Sequence, residues 1–444
     1  MKKYLILPAL LLISFYGCNG TGNKTSDNQS SPKAVVKKEN ISLMTGDKDE
    51  FNPKSRIESI RKVRLTNFGI RNIPSPVKTP DVTKAQEQLE GDNYSKMNLK
   101  YYNSMQLTFP AYPFDYENDI NALKNLYKTH KLNTIIKKDM SELETLNALM
   151  IYTNKFMEGG KTPENENDIG PSAEVITKSR LEKGIGGTSR HYAALFCQLA
   201  LSCGFNARLV SMHTVDEKGE ILTNDVCEVY LNSFDKWAVF DVYSKATYYT
   251  RDNIPQSAFE LREIMLDQNF KVLNVYTGLG DLTDVISLRE KTLNRYKYIY
   301  IWRMNDILSK SPKGGSVPWE TLYESHLVWE DEKAPVSEGR FDKIDKFSGL
   351  KQKGVRFVTH NRDDFNWSLS HVCINITRKT DNSIYIYLDT ITPNFDGYEI
   401  NDSGVKITKD DLYKTIIPIG KKLFRSTNVF GMSGAISDFY ITPE

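Results

Sequence analysis

Between Gly184 and Asp241 the chain runs through a glycine-rich loop, a helix and three strands in quick succession, and this order restricts the available folds more than any other feature. Gly184-Ile185-Gly186-Gly187 reads as a tight loop, because glycine alone permits the backbone conformations and close approaches such a turn needs. Ser189 to Ser202 reads as a helix that Gly204 ends. Ala207 to Met212, Asp225 to Leu231 and Lys236 to Val242 read as strands, with Asn232 to Asp235 turning between the last two. Upstream, Ser141 to Met157 is a helix on three grounds. Ser141 and Glu144 form a capping box, Leu143, Leu146, Leu149, Met150 and Phe156 make one apolar face, and Gly159-Gly160 stops it. Tyr116 to His130, Ser172 to Ser179 and Ser257 to Leu266 also carry helical patterns.

Three pieces of this stretch carry a family resemblance. They are Gly187-Thr188-Ser189-Arg190-His191-Tyr192-Ala193, Gly204-Phe205-Asn206-Ala207-Arg208-Leu209-Val210, and Glu228-Val229-Tyr230 followed by Trp237-Ala238-Val239-Phe240-Asp241. In this order they resemble the transglutaminase-like superfamily, whose fold is papain-like. The resemblance implies a nucleophilic cysteine at the helix start, where the helix dipole favours thiolate. It also implies a histidine base four residues before the glutamate, and an aspartate four after the tryptophan to orient the imidazole. In this chain those positions are Ser189, Asn224 and Asp241. Two of the three groups are substituted. A serine hydroxyl needs a base, and an asparagine amide cannot accept a proton. The resemblance therefore implies a degenerate triad and a protein that binds or scaffolds rather than catalyses.

A second reading keeps an acyl-transfer or amide-hydrolysing enzyme, with Ser189 served by a displaced base such as His213. His191 lies two positions past Ser189, so it points away from it on a helix and reads as a packing residue. Cys227 faces away from Asn224 by strand alternation and reads as core. The cysteines beyond Cys18 (197, 203, 227 and 373) show no metal-ligand spacing and read as free thiols, and the six histidines are scattered. Neither a metal nor another cofactor is expected.

The N-terminus sets the expected location. Lys2 and Lys3 precede an apolar run from Tyr4 to Tyr16, broken only by Ser14 and too short to span a bilayer, which is the pattern of a secretory signal peptide. Phe15-Tyr16-Gly17-Cys18 resembles a lipobox, although an aliphatic residue is usual where Phe15 stands. That resemblance implies cleavage after residue 17 and lipid attachment at Cys18. Residues 19–40 are rich in Ser, Asn, Thr, Gly and Lys, and such a stretch serves as a flexible tether. The expectation is a bacterial envelope lipoprotein held on a membrane, the outer one favoured because Asn19 is not the aspartate that retains such proteins at the inner membrane. Net charge of +2 and the absence of basic runs give no sign of nucleic acid as a partner; the ligand expected of an envelope binding module is a peptide or a glycan.

From Tyr296 onward the chain reads as β structure: 296–302, 355–359, 371–377, 384–390, 412–417 and 435–441. The fold class expected is α+β, a papain-like transglutaminase core followed by a C-terminal antiparallel β-sandwich (Ig-like). The domains expected are a signal peptide at 1–17, a tether at 18–50, a region without a clear pattern at 51–135, the transglutaminase-like domain at 136–300 and the sandwich at 301–444. Trp319, Trp329 and Trp367 fit either a ligand platform or a core in that last region.

Overall fold

The computed structural model describes residues 82–90, 96–104, 112–216, 218, 221–250, 252–277, 294–319, 326–333, 357–404, 406–407 and 415–443. The expected signal peptide and tether, with Cys18, lie outside the described residues.

The elements follow in chain order. Helix α1 (Val82–Leu89) and strand β1 (Met97–Asn103) come first. Helices α2 (Ile120–Thr129), α3 (Glu142–Met157), α4 (Ala173–Lys183) and α5 (Ser189–Ser202) then precede strands β2 (Asn206–Val215), β3 (Ile221–Leu231), β4 (Lys236–Asp241) and β5 (Ala246–Thr250). Helix α6 (Ala258–Leu266) leads to β6 (Leu273–Tyr276), β7 (Tyr298–Trp302), the short helix α7 (Ile307–Lys310), β8 (His326–Trp329) and β9 (Phe357–Thr359). The remaining strands are β10 (Cys373–Thr380), β11 (Ser383–Asp389), β12 (Phe395–Ile400), β13 (Lys406–Ile407), β14 (Thr415–Pro418), β15 (Lys421–Asn428) and β16 (Ser437–Pro443).

An eight-stranded sheet in the order β6-β5-β4-β3-β2-β7-β8-β9 forms the middle of the molecule. Its pairs are antiparallel except β8 with β9. Alternation along the strands divides two cores. Ala207, Leu209, Cys227, Val229, Ala238, Phe240 and Val242 face helices α2 to α5. Val210, Met212, Val226, Val239, Ile299 and Ile301 face α6 with Ala258, Phe259 and Leu261. Every residue of α5 from His191 to Ser202 is buried, as expected of a helix that is apolar on all sides and lies inside other helices.

Local chemistry fixes the helix that precedes the glycine loop. The Ser141 N–H donates to Glu144 Oε2 at 2.8 Å and the Glu144 N–H to Ser141 Oγ at 3.3 Å, the reciprocal cap foreseen in the sequence. After α3 the chain passes directly over the loop before α5. A Cβ on Gly160 would lie 2.3 Å from the Gly186 nitrogen, and one on Gly186 would lie 2.6 Å from the Met157 carbonyl oxygen. The glycines are therefore required by backbone contact between the end of α3 and the entry to α5.

The remaining strands form a second module with two antiparallel sheets, β1-β16-β15-β12-β13 and β10-β11-β14. Ile374, Ile376, Ile384 and Ile386 from one sheet share a core with Tyr398, Phe424, Phe439 and Ile441 from the other, together with Ala85 and Leu89 of α1.

Two sequence-based boundaries need correction. Strands β7 (298–302), β8 (326–329) and β9 (357–359) extend the central sheet, so they do not belong with the C-terminal module. Periodicity identifies a strand but not the sheet it joins, because pairing is set by distant partners. Nor is 51–135 a unit of its own where it is described. Helix α1 and β1 complete the C-terminal module, and α2 packs on the helical side of the central sheet. Trp319, Trp329 and Trp367 are all buried and serve as core.

Candidate functional site

Ser189 is the first residue of α5, one position after the N-cap Thr188. The Thr188 N–H donates to Nδ1 of His191 at 3.0 Å. With that nitrogen accepting, the other ring nitrogen carries the proton and faces the Ile169 carbonyl at 3.3 Å. His191 is buried edge-on against Trp319 at 5.3 Å, so it braces the loop over the helix start and offers no base to its neighbour. Ser189 is half-buried, and its Oγ accepts the backbone N–H of Asp225 at 3.4 Å. The helix start thus rests on the β3 backbone at Asp225, while the Asn224 side chain, one residue away, points to the opposite face of the sheet, so the structure does not bring Ser189 to the other two positions.

Asn224 and Asp241 meet on the side of the sheet that faces α6. Asn224 Nδ2 donates to Asp241 Oδ2 at 2.9 Å and lies 3.2 Å from the Tyr296 hydroxyl, which itself lies 3.5 Å from Asp241 Oδ2. The Ser244 N–H donates to Asp241 Oδ1 at 3.0 Å. All three side chains are buried. Burial raises the Asp241 pKa above the usual carboxylate range, and the Ser244 amide and Asn224 oppose that rise. Asp241 orients an amide here, as the triad pattern would have it orient an imidazole.

His213 does not reach this arrangement as a base. It pairs with Thr223 in the β2–β3 ladder, and its Nδ1 lies 3.0 Å from Thr223 Oγ1. Its ring packs edge-on against Tyr300. Burial, with Arg190 adding to it, lowers its pKa to about 3, too weak a base to take a serine proton near neutrality.

Motif reasoning missed several participants. Tyr296 closes the Asn224–Asp241 pair. Next to Ser189, Ser211 Oγ donates to Asp225 Oδ1 and accepts the Trp302 indole N–H at 3.1 Å. The available signal was the run Tyr298 to Trp302, five buried residues too uniformly apolar for a strand with one wet face. Such a run belongs in the middle of a covered sheet, beside β2.

The other motif residues form a separate constellation. Arg208 donates to Glu228 Oε2 through Nε at 2.8 Å and Nη2 at 2.6 Å, and Nη2 also reaches the Phe365 carbonyl at 2.6 Å. The guanidinium lies between the Trp237 and Trp367 rings, 3.9 and 4.5 Å from their centroids. Glu228 Oε1 accepts the Ala258 N–H at 2.7 Å, at the N-terminus of α6. The Arg, Glu and Trp of the pattern are thereby framework positions that join β2, β3, β4 and α6.

The sequence profile of the transglutaminase-like superfamily core matches residues 130–249, from the end of α2 to β5. The chain contains a transglutaminase-like domain. The matched span includes Ser189, Asn224 and Asp241 and ends before β6 to β9, which extend the same sheet. No curated protein matches the chain. Among the described residues, no three His, Cys, Asp or Glu side chains are grouped to hold a metal ion, and no helix is long and apolar enough to cross a membrane. Cys197, Cys203, Cys227 and Cys373 are free thiols, and Cys227 packs into the helix-side core away from Asn224.

Proposed function

We propose that the transglutaminase-like domain is catalytically silent and acts as a binding or scaffolding module for a peptide or glycan, on a lipoprotein anchored at the cell envelope through Cys18. The observation that supports this reading is the state of Asn224. By motif spacing it holds the position of the family's base, its amide cannot accept a proton, and its N–H groups go to Asp241 and Tyr296. Ser189 Oγ meets a backbone N–H, and the nearby His213 is too weakly basic to activate it. The helix dipole remains, but a hydroxyl gains too little from it to replace a thiolate near neutral pH. In this reading the core is papain-like, the two-sheet module is a β-sandwich, and the envelope membrane, the outer one by preference, is the partner of the lipidated end.

The double variant Ser189→Cys, Asn224→His tests the site. The new thiol should alkylate with an apparent pKa well below the ordinary value of about 8.5. An ordinary thiol pKa would show that the positions do not form a triad frame. In the unaltered protein, any turnover of glutamine-amide or peptide substrates that disappears in Ser189→Ala would overturn the silent-domain reading. Fatty-acid labelling that persists in Cys18→Ala would remove the anchor.

A further inference from the structure

The turn that follows Asp241 carries an exposed aromatic ring. The Val242 and Tyr243 carbonyls accept from Asn154 Nδ2 of α3 at 2.8 and 3.2 Å, which seats this turn against the helical side of the sheet. Tyr243 is 52% exposed, and its ring packs edge-on against Tyr192 at 5.2 Å. Tyr192 lies three residues along α5 from Ser189, and so on the same side of the helix. Charged groups rim the ring pair. Lys245 Nζ is 3.1 Å from Glu158 Oε1, and Arg180 Nη2 donates to the Glu158 carbonyl at 2.9 Å. The Tyr192 phenol is held above its ordinary pKa by burial first, and then by Tyr243 and Glu158.

We propose that Tyr243 is the stacking platform of a glycan-binding site at the turn after β4, taking the apolar face of a pyranose ring while the Glu158–Lys245 rim meets its hydroxyls. The proposal rests on the binding-module reading above. A half-exposed ring with a polar border suits a sugar, which has an apolar face and a polar edge. A peptide bound by strand addition needs free backbone groups, and four of this turn's are already engaged. The Ser244 N–H goes to Asp241, the Lys245 N–H to the Val242 carbonyl, and the Val242 and Tyr243 carbonyls to Asn154 Nδ2.

Calorimetry on the signal-free chain would test this with three probes: tetramers of β-linked N-acetylglucosamine, tetramers of β-linked glucose, and an Ala-Gln-Lys peptide. At least one tetramer should bind. Tyr243→Ala should weaken it about fivefold or more, while Tyr243→Phe, which keeps the ring, should stay within about twofold. Unchanged affinity in Tyr243→Ala would overturn the proposal, as would failure of both tetramers to bind. In the latter case, peptide binding lost in Ser189→Trp would leave the binding module standing with a different ligand. Silence of all three probes would count against both.

Discussion

Arg208 and Glu228 share a sheet face, and one strand (β3), with Asn224 and Asp241, yet the two pairs differ in how much of the molecule depends on them. The Arg208–Glu228 pair is tied to two tryptophan rings, a main-chain carbonyl and the start of α6. The Asn224–Asp241 pair is satisfied by one tyrosine and one turn amide, and Ser189 is attached to the strand by a single long contact. A motif can thus persist for two separable reasons. Its framework positions hold the sheet and helices together whatever the protein does, and on the silent-domain proposal its chemical positions are free to change.

The largest effect that could break this contrast is Glu228→Leu. It strands a buried guanidinium, so chemical denaturation should register a loss of about 3–5 kcal/mol. A loss below about 1 kcal/mol would mean that the pair is not framework at all.

Acid stability gives an intermediate effect. The unfolded chain protonates its histidines near pH 6.5, whereas folding holds His213 at about 3 and His130, by burial, at about 4. Both contributions are fully present above pH 6.5 and fade as the pH falls toward the folded values. For His130 alone the loss at pH 4 and below is about 3 kcal/mol. Melting temperatures taken from pH 7 to 4 should therefore decline, and less steeply in His213→Gln. An unaltered slope in that variant would point to a His213 that titrates normally and would reopen its role as a base.

Ser189→Ala should have the smallest effect, a stability change under about 1 kcal/mol, because a single 3.4 Å contact is lost from a half-buried position. A larger penalty would place Ser189 with the framework.

The local elements were the most legible in sequence. The capping box at Ser141 and Glu144 and the apolar run of α5 fixed two helices to within a residue, because caps and periodicity are local. Strands β2 to β4 could be read for the same reason. Strands β5 and β6 could not, because Ala246 to Thr250 and Leu273 to Tyr276 are too short for alternation to stand out. The assignment of β7 to β9 failed at a different level, since which sheet a strand joins depends on partners far away in sequence. Motif spacing assigns Ser189, Asn224 and Asp241, of which the structure brings together the last two. It does not reach Tyr296, Ser211 and Asp225, because the fold alone brings them to the site.

The order of strands in the two-sheet module has a consequence for biogenesis. Met97 pairs with Pro443 and Asn103 with Asp438, so the transglutaminase-like domain is inserted between the first strand of the module and the rest. Loop-closure entropy makes so distant a contact slow to form. The module cannot seal until the ribosome has released almost the whole chain, and until then β1 offers an unpaired edge that invites aggregation. A truncation that removes β16 should therefore expose β1, and limited proteolysis near residue 100 would report damage near residue 440.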